Sequence, residues 1–110
     1  MITLHHLDQS RSFRILWALE ELGLDYDIKF YHRQPNFSAP NELKLIHPLG
    51  KAPILTDAEQ TIAESAVILE YLQQHYDLQA QFKPQQTSAQ QAYHYWMHYA
   101  EGSLMPLLVM

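Results

Sequence analysis

The spacing of apolar positions changes twice within the first part of the chain. Met1–Leu7 alternates loosely, which predicts a short strand. Ile15, Leu16, Leu19 and Leu22 then recur at helical spacing, so Phe13–Leu22 is expected to be a helix with Glu20 and Glu21 off its apolar stripe. Asp8–Ser12 ahead of it offers several capping oxygens, and Gly23 behind it is a suitable stop. Tyr26, Ile28 and Phe30 return to a period of two and place one apolar face on a second strand, Tyr26–Tyr31. A strand, helix and strand of these lengths predict a βαβ unit with parallel strands and a right-handed crossover.

Arg33–Pro40 reads as a loop and Asn41–Ile46 as a short helix. His47-Pro48-Leu49-Gly50 ends that helix, because a residue before proline is pushed out of the helical region and Gly50 can take a positive φ. Pro53–Thr56 and Thr61–Ala63, separated by the polar turn Asp57–Gln60, read as a hairpin with Pro53 at a strand entrance. Ser65–Tyr76 is a helix whose apolar positions Ala66, Val67, Ile68, Leu69, Tyr71 and Leu72 exceed one narrow stripe, so it packs on more than one side. The pattern is then lost, and residues 79–87, with Pro84, read as a linker. Ser88 as N-cap and Gln91 at N3 open a last helix. Tyr93, Trp96, Met97, Ala100, Leu104, Leu107 and Leu108 form its apolar side, and Pro106 is expected to kink or end it. A lone helix cannot bury that stripe by itself, so a partner or further chain must cover it; a truncated or fragmentary chain is the favoured expectation. The organisation is thus 1–78 as an α/β domain, 79–87 as linker, and 88–110 as the start of a helical domain.

Composition narrows the function. With 110 residues, 47% apolar and 17% charged, the chain is globular and about one domain long. A net charge of −5 argues against nucleic acid or an anionic membrane as the main partner. There is no cysteine, which removes disulfides, thiolate metal sites and Cys-x-x-Cys redox chemistry. No apolar run is long enough to span a bilayer, and the first residues lack the basic-then-apolar pattern of a secretory leader, so a soluble cytoplasmic protein is expected. His5 and His6 are adjacent on a strand and point to opposite faces, one packed and one exposed. His94 and His98 have i, i+4 spacing but no evident third ligand, so no metal is expected.

The chemistry concentrates between His47 and Ser65. A proline turn, a hairpin and a helix N-terminus gather free backbone N–H groups and Lys51 near one point, which makes a receptor for a small anionic ligand. Three pieces in this order, namely Ser10-Arg11-Ser12-Phe13-Arg14-Ile15-Leu16-Trp17, HPLGKAPIL from His47, and Glu64-Ser65 before a helix, resemble the N-terminal domain of the glutathione transferases. Together they look like the serine-type bacterial and fungal members. The resemblance implies a thioredoxin-like βαβ-α-ββα domain, with residues 88–110 similar to the first helix of the family's all-helical second domain. His47 departs mildly from it, standing where many members carry asparagine, and a tyrosine-type catalytic residue is absent.

What the resemblance implies for individual residues has a physical logic. A thiol of pKa ~8.5 is mostly protonated at neutral pH, and the thiolate is the nucleophile. By the resemblance, Ser10 donates a hydrogen bond to the sulfur of glutathione and favours the thiolate, as an oxyanion hole favours an oxyanion. Ser12 is the alternate hydroxyl, better suited to capping; Ser10 as a plain cap is the competing reading. Glu64 accepts from the γ-glutamyl ammonium, while Ser65 and the turn N–H groups hold its carboxylate at a helix start. Lys51 faces the glycyl carboxylate, and Ala52 exchanges backbone hydrogen bonds with the cysteinyl residue as an added strand would. The Ala52–Pro53 bond, beside that ligand, is expected to be cis. Arg11 or Arg14 assists the electrostatics, or Arg14 serves as a structural partner; Glu101, by analogy, reaches a neighbouring subunit's ligand amine. The implied activity is thiolate attack on an electrophile or peroxide, a detoxification chemistry, by a homodimer with glutathione as co-substrate and no metal. A non-catalytic binding module and an inactive truncated fragment are the alternatives.

Overall fold

In the computed structural model the described residues are 1–77, 86–101 and 105–108. The elements run β1 (Ile2–Leu7), α1 (Ser12–Glu21), β2 (Tyr26–Tyr31), α2 (Glu42–Ile46), β3 (Ile54–Asp57), β4 (Gln60–Ala63), α3 (Ser65–Tyr76), α4 (Thr87–Tyr99) and α5 (Met105–Leu108). The strands form a four-stranded mixed sheet in the order β2-β1-β3-β4. β1 pairs parallel with β2, while β3 is antiparallel to both β1 and β4. This is the expected βαβ-α-ββα arrangement. The chain divides into two compact units, Met1–Leu69 and Glu70–Met110.

α1 ends as its sequence predicts. Gly23, at φ +66°, donates its N–H to the Glu20 carbonyl, and Leu24 donates to that of Leu19. These are the two hydrogen bonds of a helix closed by a left-handed residue. Its start differs from expectation. Arg11 occupies the cap position without a side-chain capping bond, and Ser12 is already the first helical residue. Ser12 Oγ instead accepts the Leu7 N–H at 3.2 Å, so it ties the end of β1 to the start of α1. The hairpin turn is also tighter than expected: Asp57 pairs with Gln60, leaving Ala58 and Glu59 as the loop, with Ala58 at φ +54°.

The two faces of the sheet are packed by different helices. On one face Leu7, Tyr31, Leu43 and Ile54 form a buried cluster, with α2 supplying Leu43. On the other, β1 presents Ile2 and Leu4, and α1 contributes Ile15 and Leu19 to the core. Strand β2 keeps the expected alternation, but its buried residue lies on the face opposite Tyr26, Ile28 and Phe30. Phe30 is 62% exposed, whereas Tyr31, on the opposite face, is 3% exposed. Leu43 of α2 packs with Tyr31 on that face, while Phe30 stands beside the His6 ring on the other.

In the second unit, His94 Nδ1 stands 3.9 Å from Glu70, and Tyr93 donates its hydroxyl to Gln73. Burial, with Glu70 nearby, pushes the Tyr93 phenol above its usual range. Tyr95, Trp96 and Tyr99 form a cluster of rings exposed to solvent. The last helix starts one residue before the expected cap: Gln86 is the cap residue, without a side-chain bond, and Thr87 is helical. α4 ends at Tyr99, and Pro106 lies in the first turn of α5, where its missing N–H costs no helical bond. The expected linker residues 79–85, Leu104, Val109 and Met110 lie outside the described residues. Among the described residues no helix is long and apolar enough to cross a membrane.

Candidate functional site

Strand register brings the sequence-selected residues toward one end of the sheet. Parallel pairing aligns Leu7, the end of β1, with Tyr31, the end of β2. Antiparallel pairing sets Ile54, the start of β3, opposite His5 near that same end of β1, and opposite Ala63, the end of β4. The loop leaving β1, the approach to β3 and the exit from β4 therefore share one edge. Those segments carry Ser10 and Ser12, Lys51-Ala52-Pro53, and Glu64-Ser65 respectively. A hydrogen bond across the top closes the group: Arg14 Nη2 donates to Ser65 Oγ at 2.8 Å, joining the first turns of α1 and α3.

The hydroxyl loop is dense with hydrogen bonds. Ser10 Oγ lies 2.8 Å from the Leu7 carbonyl, to which it can donate, and 2.6 Å from Ser12 Oγ. It also accepts the Ser12 N–H at 3.2 Å. Ser12 is fully buried, while Ser10 is partly exposed. That difference separates the two serines better than sequence could: of the two, Ser10 reaches solvent, and Ser12 is internal. Ser12 Oγ stands 2.8 Å from His6 Nδ1. His6 is therefore half-buried and bonded into the loop rather than simply exposed, a role that strand alternation alone could not disclose.

The hairpin side is shaped by its backbone. Ala52–Pro53 is cis, as expected. Pro53 is buried, Ala52 partly so, and Lys51 is exposed. The turn before it needs glycine: Gly50 has φ +61°, and a Cβ there would lie 2.6 Å from Lys44 Cγ. His47 supports the same turn, its Nδ1 accepting the Leu49 N–H at 3.2 Å and its carbonyl accepting the Gly50 N–H at 2.9 Å.

At the exit from β4, Glu64 is exposed and takes φ +74°, an unfavourable conformation for a residue with a side chain. Such outliers are tolerated where the surroundings over-determine them, and they cluster at ligand clamps. Ser65, 3% exposed, follows as the first residue of α3. Its Oγ accepts from Arg14 and so keeps its own proton for an acceptor. A guanidinium, a hydroxyl and the N–H groups of a twelve-residue helix thus converge, an arrangement that favours a carboxylate. Arg14 is the residue the sequence left ambiguous. Its signal, an arginine one turn into a helix, is shared by countless surface residues. Among the described residues no group of three histidine, cysteine or acidic side chains could hold a metal.

Known proteins are similar to this chain in sequence and fold. The family model described as "Glutathione S-transferase, N-terminal domain" matches residues 1–74. Glutathione S-transferase 1 of Saccharomyces cerevisiae is 42% identical over 99% of this chain and 49% of its own length. Glutathione S-transferase 3 of Schizosaccharomyces pombe is 47% identical over 98% of this chain and 44% of its own. A solved glutathione S-transferase from Actinobacillus pleuropneumoniae superposes with a TM-score of 0.83 at 50% identity, over 87% of this chain and 46% of its own. The chain thus spans about half the length of these relatives. The fold is the thioredoxin-like one of these proteins, and with the match running from β1 into α3 the chain belongs to the glutathione S-transferase family through its N-terminal domain.

Proposed function

We propose that this chain is the glutathione-holding part of a glutathione transferase and that Ser10 stabilises the thiolate of the bound tripeptide. Glu64 accepts hydrogen bonds from the γ-glutamyl ammonium, and Ser65, backed by Arg14, holds the adjacent carboxylate. Ala52 exchanges main-chain bonds with the cysteinyl residue beside Pro53, and Lys51 faces the glycyl carboxylate. The activated sulfur attacks an electrophile or a peroxide. The observation that carries the reading is the shared end of the sheet: Ser65, bonded by Arg14, stands at the start of α3, and the partly exposed Ser10 stands in the loop leaving β1. A γ-glutamyl peptide with a thiol in its middle matches that spacing of chemistries.

Ser10 has one proton, and turning it from the Leu7 carbonyl to a thiolate exchanges a neutral hydrogen bond for a charge-assisted one, which is stronger. Ser10→Ala should therefore raise the thiol pKa of bound glutathione and lower the rate, by up to ~10²–10³ where the charge is fully developed and dry. The test is a thiolate absorbance titration with Ser10→Ala and Ser12→Ala side by side. Ser12→Ala, which leaves the buried Leu7 N–H without its acceptor, should cost ~1–3 kcal/mol of stability and move the thiol less. A larger thiol shift from Ser12→Ala would reassign the donor; no shift from either would favour a binding module.

A further inference from the structure

The hydrogen-bond chain behind Ser10 contains fewer protons than contacts, and this constrains which way each hydroxyl points. Ser12 Oγ receives the Leu7 N–H at 3.2 Å, so one of its lone pairs is taken. It then has three further neighbours: Ser10 Oγ at 2.6 Å, His6 Nδ1 at 2.8 Å, and the Leu7 carbonyl in a long contact at 3.4 Å. Each serine has a single proton to donate, and a neutral imidazole carries one N–H on either ring nitrogen.

Suppose first that His6 Nδ1 is bare. Ser12 must then donate to it, and the 2.6 Å contact between the hydroxyls can be bonded only by the proton of Ser10. Ser10 is spent on Ser12, with nothing for the Leu7 carbonyl or for a sulfur. Turning it toward a ligand would leave two oxygens facing each other at 2.6 Å with no proton between them. Suppose instead that Nδ1 carries the hydrogen. His6 donates to Ser12, Ser12 donates to Ser10, and Ser10 donates to the Leu7 carbonyl at 2.8 Å. Every short contact now holds one proton, and Ser10 can swing its own to a ligand without breaking any bond it receives. The His6 ring is held for this by Phe30, edge to face at 5.7 Å and 89°.

We infer that His6 is a positioning residue that, as its Nδ1–H tautomer, donates through Ser12 and leaves the Ser10 proton free for the ligand sulfur. The inference rests on the reading of Ser10 as the thiolate donor. It also gives the exposed Phe30 a part to play, as a wall for the imidazole.

Two measurements on the full chain with glutathione test it. Long-range proton–nitrogen NMR correlation reports the tautomer directly: a protonated Nδ1 at His6 supports the inference, and an Nε2–H form overturns it. The thiolate titration supplies the functional arm. His6→Leu removes the donor and should lower the thiolate-to-thiol ratio of bound glutathione at fixed pH by about two- to tenfold, the weight of one ordinary hydrogen bond. His6→Asn, whose amide N–H can occupy the Nδ1 position, should restore most of it. Equal losses in both variants, or no loss in His6→Leu while Ser10→Ala raises the thiol pKa, overturn the role of His6 and leave that of Ser10 standing. No effect from Ser10→Ala removes both.

Discussion

His5 and His6 are neighbours in sequence and stand in two different chemistries. His5 is 5% exposed, its Nδ1 2.9 Å from the Tyr31 hydroxyl and its Nε2 3.3 Å from Thr56 Oγ1. It lies on the face of the sheet covered by α2, where both ring nitrogens meet protein hydroxyls and nothing is left for a ligand. His6 projects to the opposite face, where it meets Ser12 and the loop that carries Ser10. One step along a strand therefore separates a residue that holds the sheet together from one that adjoins the site. The lesson is that residue type says little here. What differs is whether the hydrogen-bond chain ends in the interior, as it does at Tyr31 and Thr56, or at a partly exposed hydroxyl.

The sharpest way to break this contrast is to loosen the His5 face alone. Leu43→Ala deletes a fully buried side chain from the cluster with Leu7, Tyr31 and Ile54. A loss of ~2–5 kcal/mol of stability is expected for such a truncation. Denaturant unfolding measures it, and the folded protein should keep its glutathione affinity if the two faces are independent. The converse substitution is Ser65→Ala on the ligand side. It removes a hydroxyl from the proposed carboxylate receptor, and roughly 1.5–3 kcal/mol of glutathione affinity should go with it, as for a hydrogen bond to a charged group. Titration calorimetry with unchanged affinity would move the γ-glutamyl carboxylate away from α3.

The smallest effect concerns proton uptake by His5. Burial, and secondarily the positive charge of Lys29, lower its pKa from the ordinary 6.5. The neutral form is favoured in the folded state, so between the two values the unfolded chain binds more protons. Stability should hold above about pH 6.5, the unfolded value, and fall as the pH drops from there toward the folded one. Replacing His5 with asparagine should flatten that part of the stability profile; an unchanged slope would assign the acid sensitivity to another group.

Much of this molecule is written in local pattern. The alternation of Met1–Leu7, the stripe of Ile15 and Leu19, the stop at Gly23 and the proline hairpin each follow from short-range sterics and periodicity, and so does the order βαβ-α-ββα. The cis bond at Pro53 and the grouping of Lys51, Ala52, Glu64 and Ser65 were accessible through motif resemblance, because the turn chemistry sits within one contiguous stretch. Partnerships across the chain were not. Arg14 with Ser65 and His5 with Thr56 each span 51 residues, and no periodicity encodes which of several polar residues meet. The burial of Tyr31 depended on where α2 docks, and the separation of Ser10 from Ser12 depended on which hydroxyl lies inside the β1–α1 corner. Sequence by itself determined the elements, their order and the chemical types at the sheet edge, since these depend on backbone preference and neighbours in the chain. The tertiary structure decided which face each side chain buries and where each proton is donated, since those depend on atoms brought together only when the sheet and its helices pack.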